Sequence, residues 1–259
     1  VRWDPAQWAE VYDALIRRIG EDSYLDQYIV AFLSRWRLNR ALRSFDSTVQ
    51  SLAFAAFVPP SSDETGGPGE PAEPPQTLPG ALVVSTMIHG TWGWKGDWWR
   101  SGCDFHRFVL QNYRPDLYSR GAKFSWSGAY SASQRRQATQ DFRDWAYEVA
   151  PHGLQTVFAH SYGAEVAALG LVAGAGIHEL VLLSAPATAV IEDVIQSGVR
   201  VVDVRLRVDP ILAIARARQR LPSLPNVTPV ILNGWRLDHG STHRQAVWRH
   251  EDIGRRGGL

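Results

Sequence analysis

Apolar positions at the start of the chain recur with the 3.6-residue period of amphipathic helices. Asp4 is placed to cap, Pro5 suits a first turn, and Trp8, Val11, Tyr12, Leu15, Ile16 and Ile19 fall on one stripe. Leu25, Ile29, Phe32, Leu33 and Trp36 mark a second helix, and a third apolar stretch runs over 49–58. Residues 1–57 therefore read as an N-terminal helical segment. Over 58–80 Pro, Gly, Glu and Ser displace bulky apolar side chains. Such a stretch buries too little surface to offset the entropy of ordering it, so it reads as a linker or mobile loop.

Beyond Gly80 the period changes. Short apolar runs at Ala81–Ile88, Ala122–Trp126, Leu154–Ala159, Glu179–Ser184, Val199–Val208 and Thr228–Leu232 have the length and β-branched content of strands. Helical patterns fall between them, most clearly at Ala132–Val149 and Tyr162–Ala173. Strands alternating with helices predict an α/β fold over 81–259, a mainly parallel sheet of six strands covered by helices.

Composition narrows the function classes. With 45% apolar residues in 259, the chain can bury a sizeable core. A net charge of +1, from 27 basic and 26 acidic residues, supplies no general field for nucleic acid. No run reaches membrane-spanning length, so no transmembrane segment is expected. The first residues lack the basic-then-apolar order of a signal peptide, yet the chain begins at Val, which leaves room for a trimmed leader. Localisation stays open, with the cytoplasm favoured if that start is native. Cys103 is the single cysteine, which excludes an internal disulfide and reads as an inert small residue. Neither metal-ligand spacing nor a phosphate-binding loop is present, so no cofactor and no metal are expected.

The chemistry gathers at a turn. Leu154–Ala159 runs into His160-Ser161-Tyr162-Gly163 and then into the helix former Ala164-Glu165-Val166-Ala167. A serine on a tight strand-to-helix turn has its hydroxyl held out at the carboxyl edge of a sheet, above a helix N-terminus, which suits a nucleophile. The pattern is Gly-x-Ser-x-Gly with Ala159 in place of the first glycine. A separate strand end supplies His89-Gly90-Thr91. Its loop is the place for one oxyanion donor, from Thr91 or Trp92, with the Tyr162 N–H as the other.

Serine needs a base, and imidazole has the suitable pKa. His239 and His243 follow the last strand-like run. His239 is preferred because it lies just before Ser241, a suitable helix cap, whereas His243 would already be helical. A carboxylate must orient the imidazole, and Asp209 fits best, since it ends a strand and Pro210 turns the chain. Asp203 inside the strand and Asp238 beside the histidine are weaker candidates.

The order Ser161, Asp209, His239 resembles the nucleophile, acid, base order of α/β-hydrolases, and residues 80–259 look like a core of the esterase and lipase kind. That resemblance implies a nucleophile after the third of the six strands and an oxyanion loop after the first. It also implies a cap insertion after Ser184, which is missing here, so residues 1–57 are expected to cover the site or to dock a partner protein. The function expected is cleavage of a small acyl ester or lipid through an acyl-enzyme. Thioester hydrolysis, acyl transfer and a non-enzymatic binding module remain alternatives. Among the 11 Trp, a crowd at Trp92, Trp94, Trp98 and Trp99 marks an apolar pocket or a packed loop. His89, Trp94 and Trp126 are the candidate substrate contacts.

Overall fold

The computed structural model describes residues 85–91, 93, 97–118, 123–129, 132–214, 217–233 and 238–259. The expected N-terminal helices and linker lie outside them, as do Trp92 and Trp94. Five strands form one sheet: β1 (Ser85–Ile88), β2 (Leu154–His160), β3 (Ile177–Leu183), β4 (Arg200–Arg205) and β5 (Val227–Ile231). They lie side by side in chain order, and every pairing is parallel. β2 and β3 are rich in β-branched and large apolar residues and are buried at all but one position each, as strands covered on both faces must be.

Seven α-helices complete the described residues: α1 (Asp104–Asn112), α2 (Ala132–Val149), α3 (Gly163–Val172), α4 (Ala189–Gln196), α5 (Pro210–Ile214), α6 (Gln245–His250) and α7 (Ile253–Gly257). Helices α2, α3 and α4 pack side by side as one layer, and α1, α6 and α7 form a second group of neighbours. Each group has an aromatic centre. Phe124, Phe142 and Trp145 meet beside α2, whereas Trp248 of α6 meets Phe105, Phe108, Tyr113 and Phe158.

The sheet has five strands where the sequence pattern predicts six. Residues 123–129, at the place of the run Ala122–Trp126, form no strand. The outer edge of β1 is short and already engaged: Leu117 makes an isolated parallel bridge with Ser85, and the Tyr118 N–H donates to the Ser85 carbonyl. The Lys123–Ala129 segment is held instead by side chains. Phe124 enters the α2 aromatic cluster, and the Trp126 indole donates to the His89 carbonyl at 2.8 Å.

One buried charge cluster sits at the opposite end of the strands from the Ser161 turn. Glu179 of β3 is paired with Arg114 and Arg200 and accepts from Thr156. Two guanidiniums and a hydroxyl compensate the desolvation of this carboxylate, so removing one partner leaves charge exposed to a dry interior.

Trp248 links the core to the site, because its indole N–H donates at 2.7 Å to Thr242, one residue before His243. Trp248→Phe keeps most of the packing and orphans that carbonyl, with an expected loss of about 1–3 kcal/mol. Trp248→Ala is expected to cost about 3–5 kcal/mol. Urea titration of both variants checks the order and the gap.

Candidate functional site

Ser161 follows β2 with φ of +52°, a left-handed conformation that L residues adopt at a cost of about 1–3 kcal/mol. Its N–H continues the β2 to β3 ladder by donating to the Leu183 carbonyl at 2.9 Å, and its carbonyl accepts from Ala164 at the start of α3. The turn is thus fixed by a strand on one side and a helix on the other. Tyr162 is the residue before α3, and its ring lies under the Arg135 guanidinium at 4.6 Å.

Two glycines let the loop after β1 press against this turn. A Cβ on Gly90 would lie 2.6 Å from the Ser161 Cβ, and one on Gly163 would lie 2.4 Å from the His89 carbonyl oxygen. His89 itself is fully buried, stacked on Trp126 with ring centroids 5.8 Å apart and tilted against Trp99 at 4.5 Å. Its Nδ1 meets the Gly90 carbonyl at 2.9 Å. The Trp99 indole donates to the Gly93 carbonyl, so aromatic side chains hold the loop at both ends. Thr91 is half-buried in that loop.

Asp209 and His239 meet. Asp209 Oδ2 lies 2.6 Å from His239 Nδ1, and the carboxyl group is only 2% exposed. The other oxygen, Oδ1, accepts from the N–H groups of Ile211 and Leu212 at the start of α5. The carboxylate therefore caps a helix with one oxygen and turns the second toward the imidazole. His239 Nε2 is buried and has no hydrogen-bond partner among the described residues. The His239 ring lies 4.7 Å from that of His160, the residue before Ser161, and the His239 carbonyl is 3.4 Å from His160 Nε2.

The other candidates go elsewhere. His239 and His243 belong to one 3₁₀ turn, His239–His243, capped by Asp238, whose carboxylate accepts from Gly240 and pairs with Arg244. The cap expected at Ser241 is thus taken by Asp238, because a 3₁₀ turn starts at His239 itself. His243 stacks on Trp98 at 4.5 Å and meets His160 edge-on at 4.7 Å. Asp203 is buried within β4, 3.3 Å from Arg205. Cys103 precedes α1 and is partly exposed. Among the described residues, no group of three or more His, Cys, Asp or Glu side chains is arranged to hold a metal, and no helix is long and apolar enough to cross a membrane.

Sequence reasoning missed three neighbours of the pair. Trp98 walls the histidines, and only the local density of Trp hinted at it. In the sequence His160 is only a member of the turn, whereas in the structure it is a buried ring between His239 and His243. Gln219 bonds the backbone of Asp209 on both sides, and nothing in its sequence surroundings marks it.

Burial controls the protonation of this region. It pushes His89 and His243 down to about 4, and His160 well below its ordinary value; the nearby His239 charge acts in the same direction on His160 and His243. Burial pushes Asp203 up to about 6 against the opposing effect of Arg205. The three histidines are neutral when folded and bind protons when unfolded, so their contribution is intact above pH 6.5 and is lost as pH falls toward 4. Asp203 acts oppositely, since below pH 6 the folded state takes its proton first. His106 is lowered by burial as well, so the histidines outnumber Asp203 and between pH 6 and 4 unfolding should take up protons on balance, with stability falling as the pH drops. Urea unfolding at pH 4.5, 5.0, 5.5 and 6.0 measures that slope; a flat profile contradicts the burial of these imidazoles.

No protein-family model matches the chain, and no curated protein matches it. Among solved structures it is similar to a thioesterase domain, that of NocB in covalent complex with a fluorophosphonate nocardicin G analog. The two are 13% identical with a TM-score of 0.40, over 68% of this chain and 94% of that one.

Proposed function

We propose that the chain is a serine hydrolase of the α/β-hydrolase type, acting on acyl bonds with Ser161 as nucleophile, His239 as base and Asp209 as its orienting carboxylate. The observation that carries this reading is the Asp209–His239 pair at 2.6 Å, whose imidazole packs on His160, the residue that precedes a serine held at positive φ on a strand-to-helix turn. Strain of this kind persists only where the surroundings over-determine it, and a serine on such a turn is the arrangement that suits a nucleophile.

In the proposed reaction His239 Nε2 takes the Ser161 proton as Oγ bonds to the acyl carbon, and the carbonyl oxygen becomes an oxyanion. The Tyr162 N–H and an N–H of the 91–92 loop receive that charge. His239 then gives its proton to the leaving alcohol or thiol as the bond to the acyl carbon breaks. Water, deprotonated by the same imidazole, attacks the acyl-enzyme; its collapse returns the proton to Ser161 Oγ and releases the acid. A positioned base contributes about 100- to 10,000-fold, and each oxyanion donor about 3 kcal/mol.

Trp98 and Phe105, packed on the His243 and His160 rings, favour an apolar acyl group, hence a lipid or medium-chain ester. A thioester presents the same carbonyl to the same groups, and transfer to another alcohol differs only in the second acceptor.

Fluorophosphonate labelling tests the nucleophile. Wild-type protein should label, Ser161→Ala should not, and His239→Ala should label at least about 100-fold more slowly. Folded wild-type protein that fails to label would overturn the reading. Rates on p-nitrophenyl esters and acyl thioesters of increasing chain length then size the acyl site and separate the two leaving groups. Gly90→Ala should also suppress labelling, because its Cβ would collide with the Ser161 Cβ and the His160 carbonyl. Labelling of that variant at the wild-type rate would show that the loop yields and that its close approach is dispensable.

A further inference from the structure

We propose that Gln219 is a positioning residue for this reaction, its side-chain amide fixing the backbone of Asp209 so that Oδ2 faces His239 Nδ1. The inference rests on the role given to Asp209 above. Gln219 Oε1 accepts from the Asp209 N–H at 2.9 Å, and Gln219 Nε2 donates to the Asp209 carbonyl at 3.1 Å. One planar amide thus holds both polar groups of a residue that has left β4 and has no neighbouring strand to pair with. The orientation of the amide follows from its partners, since an N–H needs an acceptor and a carbonyl needs a donor.

Gln219 is itself tied to rigid elements. Its carbonyl accepts from Arg205 Nη1 at the end of β4, at 3.0 Å. The preceding carbonyl, of Arg218, accepts from the Ala187 N–H at 2.7 Å, and the Arg218 guanidinium pairs with Glu192 of α4 at 2.9 Å. The segment therefore straps the loop after β4 to the loop after β3 and to α4. With the backbone of Asp209 clamped and Oδ1 held by α5, the carboxylate has one orientation, and it points Oδ2 at the imidazole.

Gln219→Met keeps the length and volume of the side chain and removes both bonds; Gln219→Glu keeps the acceptor and removes the donor. Each is compared with wild type and Asp209→Asn for fluorophosphonate labelling rate, kcat and KM on the best p-nitrophenyl ester, and melting temperature. Complete loss of an orienting carboxylate costs on the order of 10,000-fold, so a displaced one should cost less: about 10- to 100-fold in kcat and labelling for Gln219→Met, with KM within about threefold. Gln219→Glu should fall between Gln219→Met and wild type, and it decides the question if Gln219→Met does not fold. Three results would overturn the proposal: labelling within twofold of wild type while Asp209→Asn is slow, a loss carried mainly by KM, or a loss that scales with a fall in melting temperature. If Asp209→Asn labels as fast as wild type, the role of Asp209 fails and the clamp has nothing to position.

Discussion

A serine in left-handed backbone at the end of a strand is a local cost that the surrounding structure has to cover, and at Ser161 the cover is visible residue by residue. β3 takes its N–H, α3 takes its carbonyl, and the loop after β1 closes over it through two positions where only hydrogen fits in place of a side chain. The close approach works because His89 is locked between Trp99 and Trp126, which keeps the loop in register with β1. The strain is therefore shared among β2, β3, α3 and the aromatic loop. Relaxing the turn would require several of these contacts to move together.

The Asp209 and His239 side of the site is built differently. Ser161 is positioned by backbone packing, whereas the Asp209–His239 pair is positioned by side-chain hydrogen bonds to backbone: α5 on one carboxylate oxygen, Gln219 on the peptide, and the Asp238 cap on the turn that carries His239. Such bonds are individually modest but directional, and in a dry environment they restrict orientation more than packing alone would. His160, buried, and His243, half-buried, complete the arrangement as neutral rings. Burial disfavours a proton on either, so in the proposed reaction the proton taken from Ser161 has His239 as its acceptor.

The legible parts of this structure are those set by periodicity and by turn chemistry. The helix Ala132–Val149 has the bounds its apolar stripe predicts, and β2 running into the Ser161 turn follows from an apolar run ending at a Ser-x-Gly step. The pairing of Asp209 with His239 could be ranked ahead of Asp203 and His243 because chain order and strand ends limit which groups reach the sheet's carboxyl edge. The run 122–126 misled because an alternating apolar segment is the same in sequence whether its backbone joins a ladder or its side chains anchor it beside one. Gln219 was illegible for a related reason: it acts through a contact ten residues away across a turn, and an amide between arginines has no pattern of its own.

The tryptophans separate into two roles that their crowding in sequence conceals. Trp145 and Trp248 are core residues of the two separate helix groups, whereas Trp99 and Trp126 pack on His89 of the loop and Trp98 packs on His160 and on His243 of the 3₁₀ turn. The His160 ring in turn lies 4.7 Å from that of His239. These rings add bulk beside His239 while its Nε2 has no hydrogen-bond partner among the described residues, and Asp209 is buried at 2% exposure. A charge developing on His239 would then be stabilised chiefly by Asp209 rather than by water, which is the condition under which a fixed carboxylate contributes most. The precision with which Asp209 is held and its burial beside His239 are thus two halves of one electrostatic arrangement. The burial of Asp209 makes the interaction strong, and the hydrogen bonds to α5 and Gln219 keep the carboxylate where that strength acts.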